Sequence, residues 1–425
     1  MLAKSPQNFS NILGISPNIY AFNPSIAHWK DNLYLCSYRQ FVRYPHLFQI
    51  GTTDTGITYN YTTDKFRDPN HPWFGKCSSL RWNYIPAFGG FNNTRIAIIQ
   101  INPDDSVTLI QSKMYVENEI VQYIDGEDAR LLQIKDNKFL LSCTNFFKDV
   151  VIKDSTTCTK CLLISTRIIE VLPASDHFQI IIHPETILCP NISSSIEKNW
   201  SFSLIDRDEP EPYISFSYGL YPIHTVFDVS LVNNKIECKN MNSVPKLTSS
   251  VDNIFSRLVS FYGSKGIGHE RFFVSVSTPT VQIDTNIFLG VGHIKFRHTP
   301  MIVYPNPSFL YQFCFDMNAS SKTTHEIYIY MMFFYAFNIN GEILTCSNMF
   351  IPPSKGTLCF PSGLTINNDQ VILSYGDDDD KCMFLTFTRQ EVKDLLNAEN
   401  IVQKQAHEVL FYMIKKSENV VDMMT

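Results

Sequence analysis

Five times along the chain a polar or small cluster leads into a turn and then a hydrophobic strand-like run, and this recurrence restricts the fold more than any other feature. The stretch from Tyr123 to Phe147, YIDGEDARLLQIKDNKFLLSCTNFF, sets Glu127, Asp128 and Arg130 just before two alternating runs. A carboxylate pair beside a cation, at the mouth of a hairpin, is a candidate site. Comparable phrases are NPSIAHWKDNLYLCSYR from Asn23, KNWSFSLIDRD from Lys198 followed by EPYISFSYG, STPTVQIDTNIFLGVGH from Ser277, and FPSGLTINNDQVILSYGDDDD from Phe360. Their separation of roughly 70 to 105 residues exceeds the about 40–50 of common propeller blades, so long loops or extra strands must fill the difference.

Periodic strand groups with few helices predict an all-β fold, a β-propeller in which each blade is a small antiparallel sheet and a central channel collects one loop from each. The blades fall at roughly residues 16–120, 121–190, 191–265, 266–345 and 346–388 of a single domain. Such closure predicts that Arg39, Asp128, Lys198, His293 and Asp379 converge although they are far apart in sequence. Helical spacing is confined to the end, at Val392, Leu395 and Leu396 and again at Val402, Ala406, Val409, Leu410 and Met413, so one or two C-terminal helices are expected within 389–425.

Composition narrows the function. Hydrophobic residues at 44%, with 32 Phe and 20 Tyr, favour a strand-rich folded chain. A formal net charge of -6 argues against a nucleic-acid partner, which would need clustered Lys and Arg. The start, MLAKSPQNFSNILGISP, lacks the pattern of a signal peptide and no long apolar run follows, so a soluble cytoplasmic protein without a membrane partner is expected. Cys158 and Cys161 form a lone C-x-x-C with no second pair, read as free thiols in a loop, and no metal site is expected. Cys36, Cys143 and Cys314 fall in strand-like runs, as buried thiols do. The segment Gly263 to Gly268 lacks the order of a phosphate loop and reads as a turn.

NPSI at Asn23, G-E-D-A-R at Gly126, K-N-W-S at Lys198, T-P at Thr278 with G-V-G-H ending at His293, and F-P-S-G then Y-G-D-D-D from Tyr375 resemble, in order, the blade motifs of glycoside hydrolase family 130 and of the related protozoan mannosyltransferase and phosphorylase family. The resemblance covers roughly residues 20 to 400. It implies a five-bladed propeller that cleaves or builds β-mannosidic bonds, usually by inverting phosphorolysis with mannose 1-phosphate as donor or product. The proton donor of that family carries over to Asp128. Here Ala129 stands where the family has Pro, which removes a constraint on φ but leaves Asp128 and Arg130 in place.

The chemistry gives these residue types independent reasons. An inverting hydrolase needs an acid and a base on opposite faces of the sugar. Phosphate is its own nucleophile, so one acid and a cationic cradle suffice; Arg suits bidentate phosphate contacts and Lys supplies a point charge. Arg130 and Lys198 are the expected cradle, with His293 and Tyr375 as further donors and Arg39 as an additional member. Asn23, Glu127, Asn199, His224 and Asp379 are expected on the sugar side, and Asp128 is expected to be desolvated or beside another carboxylate, with Glu127 the candidate. Trp200 and Tyr218 could stack on sugar or pack in the core. No organic cofactor is expected; inorganic phosphate is the co-substrate and an oligosaccharide or sugar phosphate the partner. Three rival readings stay open at this stage: a β-mannoside hydrolase, a nucleotide-sugar transferase holding a metal through Asp377 and Asp379, and a non-catalytic glycan-binding propeller.

Overall fold

The computed structural model describes residues 5–13, 19–42, 48–53, 56–61, 93–121, 123–147, 150–152, 156–158, 161–175, 177–187, 199–206, 213–220, 224–232, 235–238, 272–298, 327–347, 349–350, 352, 359–377 and 381–397. Lys198, Asp379, the Gly263 to Gly268 segment and the second predicted C-terminal helix lie outside them.

The fold is all-β, with sheets in a propeller-like arrangement. Sheet I holds the strands Ile19–Lys30, Leu33–Val42, Asn93–Ile101, Val107–Gln111 and Ile124–Asp125. Sheet II is built on Glu127–Lys135, Lys138–Phe147, Cys161–Pro173 and Phe178–Ile182, with Met114–Val116, Glu119–Val121 and Thr186–Ile187 along its outer part. Sheet III is the run Ser201–Asp206, Tyr213–Gly219, Thr225–Val232 and Lys235–Cys238. Sheet IV comprises Phe272–Val276, Val281–Asp284, Ile287–His298, Ile327–Asn338 and Ile343–Cys346, and sheet V comprises Cys359–Asn367, Gln370–Asp377 and Lys381–Thr388. The short N-terminal strand Gln7–Asn8 pairs antiparallel with Lys381–Thr388, so the two ends of the described chain share sheet V. Two small hairpins, Phe48–Thr53 with Gly56–Tyr61 and Val150–Ile152 with Thr156–Cys158, stand apart from these sheets.

The apolar runs lack a polar face because the sheets are covered on both sides. Leu131, Phe139 and Leu141 of sheet II pack with Ala27, Trp29, Leu35 and Ile98 of sheet I. Their neighbours Leu132, Ile134 and Leu140 point the other way, into Trp200, Phe202, Phe216 and Phe227 of sheet III. This period of two, with both phases buried, follows from the pleat. Sheets IV and V share Val291, Met332, Phe334, Leu373 and Leu385, and sheets V and I share Ile372, Phe384, Ile26 and Ile99. The helix Arg389–Asn397 closes the end of the IV–V core with Val392 and Leu396. Its start is a capping box: Glu391 N donates to Thr388 Oγ1 at 3.1 Å while Thr388 N donates to Glu391 Oε2 at 2.6 Å.

The first, edge strand of each sheet is irregular where the recurring phrases begin. Register shifts interrupt the pairing between Phe22 and Ser25, between Glu127 and Arg130, and between Pro361 and Gly363. In sheet IV the edge strand is split between Val276 and Val281, and in sheet III Asn199, just ahead of Ser201, has φ 62°. Bulges of this kind turn side chains out of the sheet plane and free backbone groups for other partners. Those groups tie edge strand to edge strand. Ser362 Oγ donates to the Pro24 carbonyl at 2.7 Å, Leu131 N to Ser25 Oγ at 2.9 Å, and Thr280 N to the Phe202 carbonyl at 2.9 Å. Gly376 makes the approach of sheets V and I possible: a Cβ there would lie 1.8 Å from Asn23 Oδ1 and 3.0 Å from Asn23 N. Gly376→Ala is therefore expected to displace buried Asn23 and lower stability by roughly 1–3 kcal/mol in a denaturant melt; an unchanged midpoint would show that Asn23 can move freely.

Candidate functional site

The bulges of sheets I and II face each other and supply the centre of the site. Asn23 and Asp128 both adopt left-handed backbone, at φ 48° and 52°. Asn and Asp tolerate that region better than other side chains, and outside the site the remaining non-glycine examples lie at turns. The conformation points both side chains at one place, where Asn23 Nδ2 donates to Asp128 Oδ1 at 3.0 Å. Arg39, at the end of the second strand-like run as read from sequence, reaches the same oxygen: its Nη1 lies 3.0 Å from Asp128 Oδ1 and 3.5 Å from Glu127 Oε1. Arg39 is buried, with its guanidinium 5.0 Å from the Phe22 ring centre. Expected among phosphate ligands, Arg39 is turned onto the two carboxylates. Glu127 does stand beside Asp128, and both carboxylates keep a solvent-accessible part, at 12% and 15% of the side chain.

Arg130 joins three sheets. Its Nε donates to the Ser277 carbonyl in sheet IV, its Nη1 to the Asp128 carbonyl at 3.0 Å and its Nη2 to Asn199 Oδ1 at 3.0 Å, next to sheet III. The guanidinium also lies 5.5 Å from the Phe360 ring of sheet V. Burial lowers its pKa to about 10, opposed by the charges of Asp128 and Glu127, so it remains a cation at neutral pH. These three bonds leave two of the five guanidinium N–H groups to point elsewhere.

His293 sits beside Arg130 in sheet IV, with Nδ1 at 2.5 Å from Ser277 Oγ and its ring 5.4 Å from Phe360 and 5.1 Å from Tyr330. Burial, helped by the nearby charges of Arg130 and Lys295, pulls its pKa down to about 3. It therefore offers a neutral imidazole rather than a positive charge. His224 is elsewhere, between sheets III and IV: Nδ1 donates to the Gly341 carbonyl at 2.7 Å, so Nε2 accepts from Ser217 Oγ at 2.9 Å. Both nitrogens are used by the protein, and burial lowers its pKa to about 4. Above about pH 6.5 both rings are neutral folded or unfolded; below it the unfolded chain takes up protons that the folded chain refuses. Stability is thus expected to fall by roughly 2–4 kcal/mol between pH 7 and pH 5, read from denaturation midpoints. A flat profile would mean that the two rings are solvated.

Tyr375 is placed in the apolar core between sheets IV and V, with its hydroxyl making no hydrogen bond among the described residues and its pKa driven up by burial. It does not join the Asp128 cluster. Trp200 likewise packs in the core, stacked on Phe216 at 4.7 Å, with Tyr218 edge-on to it. Asp377 is buried against Cys359 Sγ and 3.9 Å from Lys381 Nζ. Among the described residues no group of His, Cys, Asp and Glu is arranged to hold a metal, and no helix is long and apolar enough to cross a membrane. Cys36 and Cys143 are buried free thiols whose pKa values burial pushes up.

Neither a protein-family profile nor a curated protein matches the chain. Solved structures do. The β-1,2-mannobiose phosphorylase of Listeria innocua is similar at 12% identity and TM-score 0.44, covering 91% of this chain and 95% of that one. MPT-4, a mannose phosphorylase from Leishmania mexicana solved with phosphate, is similar at 10% identity and TM-score 0.42, covering 88% and 86%. MPT-1, a GDP-Man-dependent mannosyltransferase from the same organism, is similar at 9% identity and TM-score 0.43, covering 91% and 88%. At these identities and TM-scores the likeness gives no residue a role.

Sequence reasoning missed Ser277, whose carbonyl and hydroxyl hold Arg130 and His293, because a main-chain acceptor leaves no mark in a side-chain pattern. It also passed over Phe360 and Lys295. Lys295 did carry a signal: it is two residues beyond His293 in one strand, hence on the same face.

Proposed function

We propose that this protein is a carbohydrate-active enzyme that works on β-mannosides by inverting phosphorolysis, or by the reverse transfer of mannose from mannose 1-phosphate. One observation supports this reading above the others: Asn23, Arg39, Glu127, Asp128, Arg130, Asn199 and His293, drawn from the recurring phrases, form one contact network. In this reading the architecture is a five-bladed propeller, and the edge-strand ties between sheets support it; the first two blades interlock across the boundary expected at residue 120, since Met114–Val116 and Glu119–Val121 pair in sheet II and Ile124–Asp125 in sheet I.

Asp128 is the proton donor. Two N–H donors converge on Oδ1, which must accept from both, so the transferable proton belongs on Oδ2. It passes to the glycosidic oxygen by way of a sugar hydroxyl, as in the family the motifs resemble. Phosphate attacks the opposite face of the anomeric carbon, the C–O bond to the leaving sugar breaks, and mannose 1-phosphate forms with inversion. Lys198 and the two remaining N–H groups of Arg130 receive the phosphate, while Asn199 and Asp379 hold sugar hydroxyls. No metal or organic cofactor is called on. Hydrolysis fits less well, because Glu127 and Asp128 touch the same Arg39 nitrogen, whereas an inverting hydrolase separates its two carboxyl groups by about 6.5–9.5 Å to admit water. The test is phosphate release from α-mannose 1-phosphate in the presence of a mannose or manno-oligosaccharide acceptor.

A further inference from the structure

The seam between sheets IV and V is apolar along most of its length and changes character where it reaches Arg130. On the sheet IV side, Leu289, Val291, His293 and Lys295 alternate onto one face, and the residues paired with the last two, Met332 and Tyr330, share that face. Leu289, Val291 and Met332 are fully enclosed, and His293 is 2% exposed; Tyr330, Lys295 and, from sheet V, Phe360 are half-buried. The seam thus opens outward into a wall made of two rings and a cation. Lys295 Nζ lies 5.9 Å from the Tyr330 ring centre, the Tyr330 and Phe360 rings meet edge-on at 6.3 Å, and His293 lies against both. Arg130 lies 5.5 Å from the Phe360 ring centre, so each of the two rings has a cation near it. Among the described residues His293 makes its hydrogen bond through Nδ1 alone, which leaves Nε2, a polar atom on a nearly enclosed ring, for a ligand.

We infer that Lys295, His293 Nε2 and the rings of Tyr330 and Phe360 form a subsite for a sugar phosphate, with Lys295 contacting the phosphate group and the rings receiving the C–H face of the sugar. The assignment rests on the proposed function and adds to it an anion-binding residue and a stacking platform. A compact ammonium beside aromatic faces matches both ends of such a ligand: the charge pairs with phosphate oxygens, and the rings match the apolar face of a pyranose. His293 contributes a neutral contact whose direction follows its tautomer.

The experiment is calorimetric titration of the full-length protein with α-mannose 1-phosphate, inorganic phosphate and mannose. Lys295→Met, which keeps the aliphatic stem over Tyr330, is expected to weaken binding of α-mannose 1-phosphate and of phosphate at least tenfold and to leave mannose binding within twofold. Lys295→Arg is expected to restore most of the loss. Phe360→Ala is expected to weaken mannose and α-mannose 1-phosphate while sparing inorganic phosphate. Wild-type binding of the phosphate ester that Lys295→Met leaves unchanged would overturn the subsite while sparing the proposed function. Failure of the folded wild-type protein to bind any of the three would overturn the function as well.

Discussion

Asp128→Asn is expected to remove turnover while leaving the fold intact. Positioned general acids contribute about 10²–10⁴-fold to rate, so phosphate release should fall by at least about 100-fold. The amide oxygen of Asn can still accept from Arg39 Nη1 and Asn23 Nδ2, and Glu127 continues to face the Arg39 charge, so the bulge should survive. The same preparation should therefore unfold within a few degrees of wild type, and a glycan-binding propeller without catalysis would show no activity to lose. Equal turnover in Asp128→Asn and wild type would remove Asp128 from the mechanism.

Arg130→Ala should have the largest effect on stability. The side chain is fully buried, and removing it strands the Ser277 and Asp128 carbonyls and Asn199 Oδ1, contributed by three different sheets. An unsatisfied buried acceptor costs about 1–3 kcal/mol, and with relaxation and water entry the expected loss is roughly 3–5 kcal/mol in a chemical denaturation curve. A Lys at this position cannot reproduce the planar fork and should recover only part of it. A loss below about 1 kcal/mol would mean that the three acceptors find other donors, and that Arg130 is held for ligand rather than for the sheets.

How much of this was legible in the sequence depended on which property of a residue mattered. The strand groups and the N-P-S and E-D-A-R phrases could be read because turns and bulges need particular side chains, and the helix at Arg389 announced itself through the spacing of Val392 and Leu396. Convergence of Arg39 with Asp128 followed from the expectation of closure. Tyr375 illustrates the limit. Its strand, Gln370–Asp377, is buried on both faces, so Val371, Leu373 and Tyr375 could not be told by hydropathy from the opposite-facing Ile372. Only packing sends the tyrosine into the IV–V core rather than to the site. His224 and His293 look alike in sequence, each near an apolar run, yet one has both nitrogens satisfied by Ser217 and Gly341 and the other bonds through Nδ1 alone among the described residues. The difference lies in distant chain segments, which no local pattern encodes.

Mannosyl transfer between phosphate and an acceptor is tested most directly by the phosphate released from α-mannose 1-phosphate by the purified full-length protein. Mannose and a series of manno-oligosaccharides serve as acceptors, with Asp128→Asn alongside. The account predicts release that requires both an acceptor and Asp128, with a β-linked mannoside as the other product. Absence of release with every acceptor, from protein that unfolds cooperatively, would contradict it.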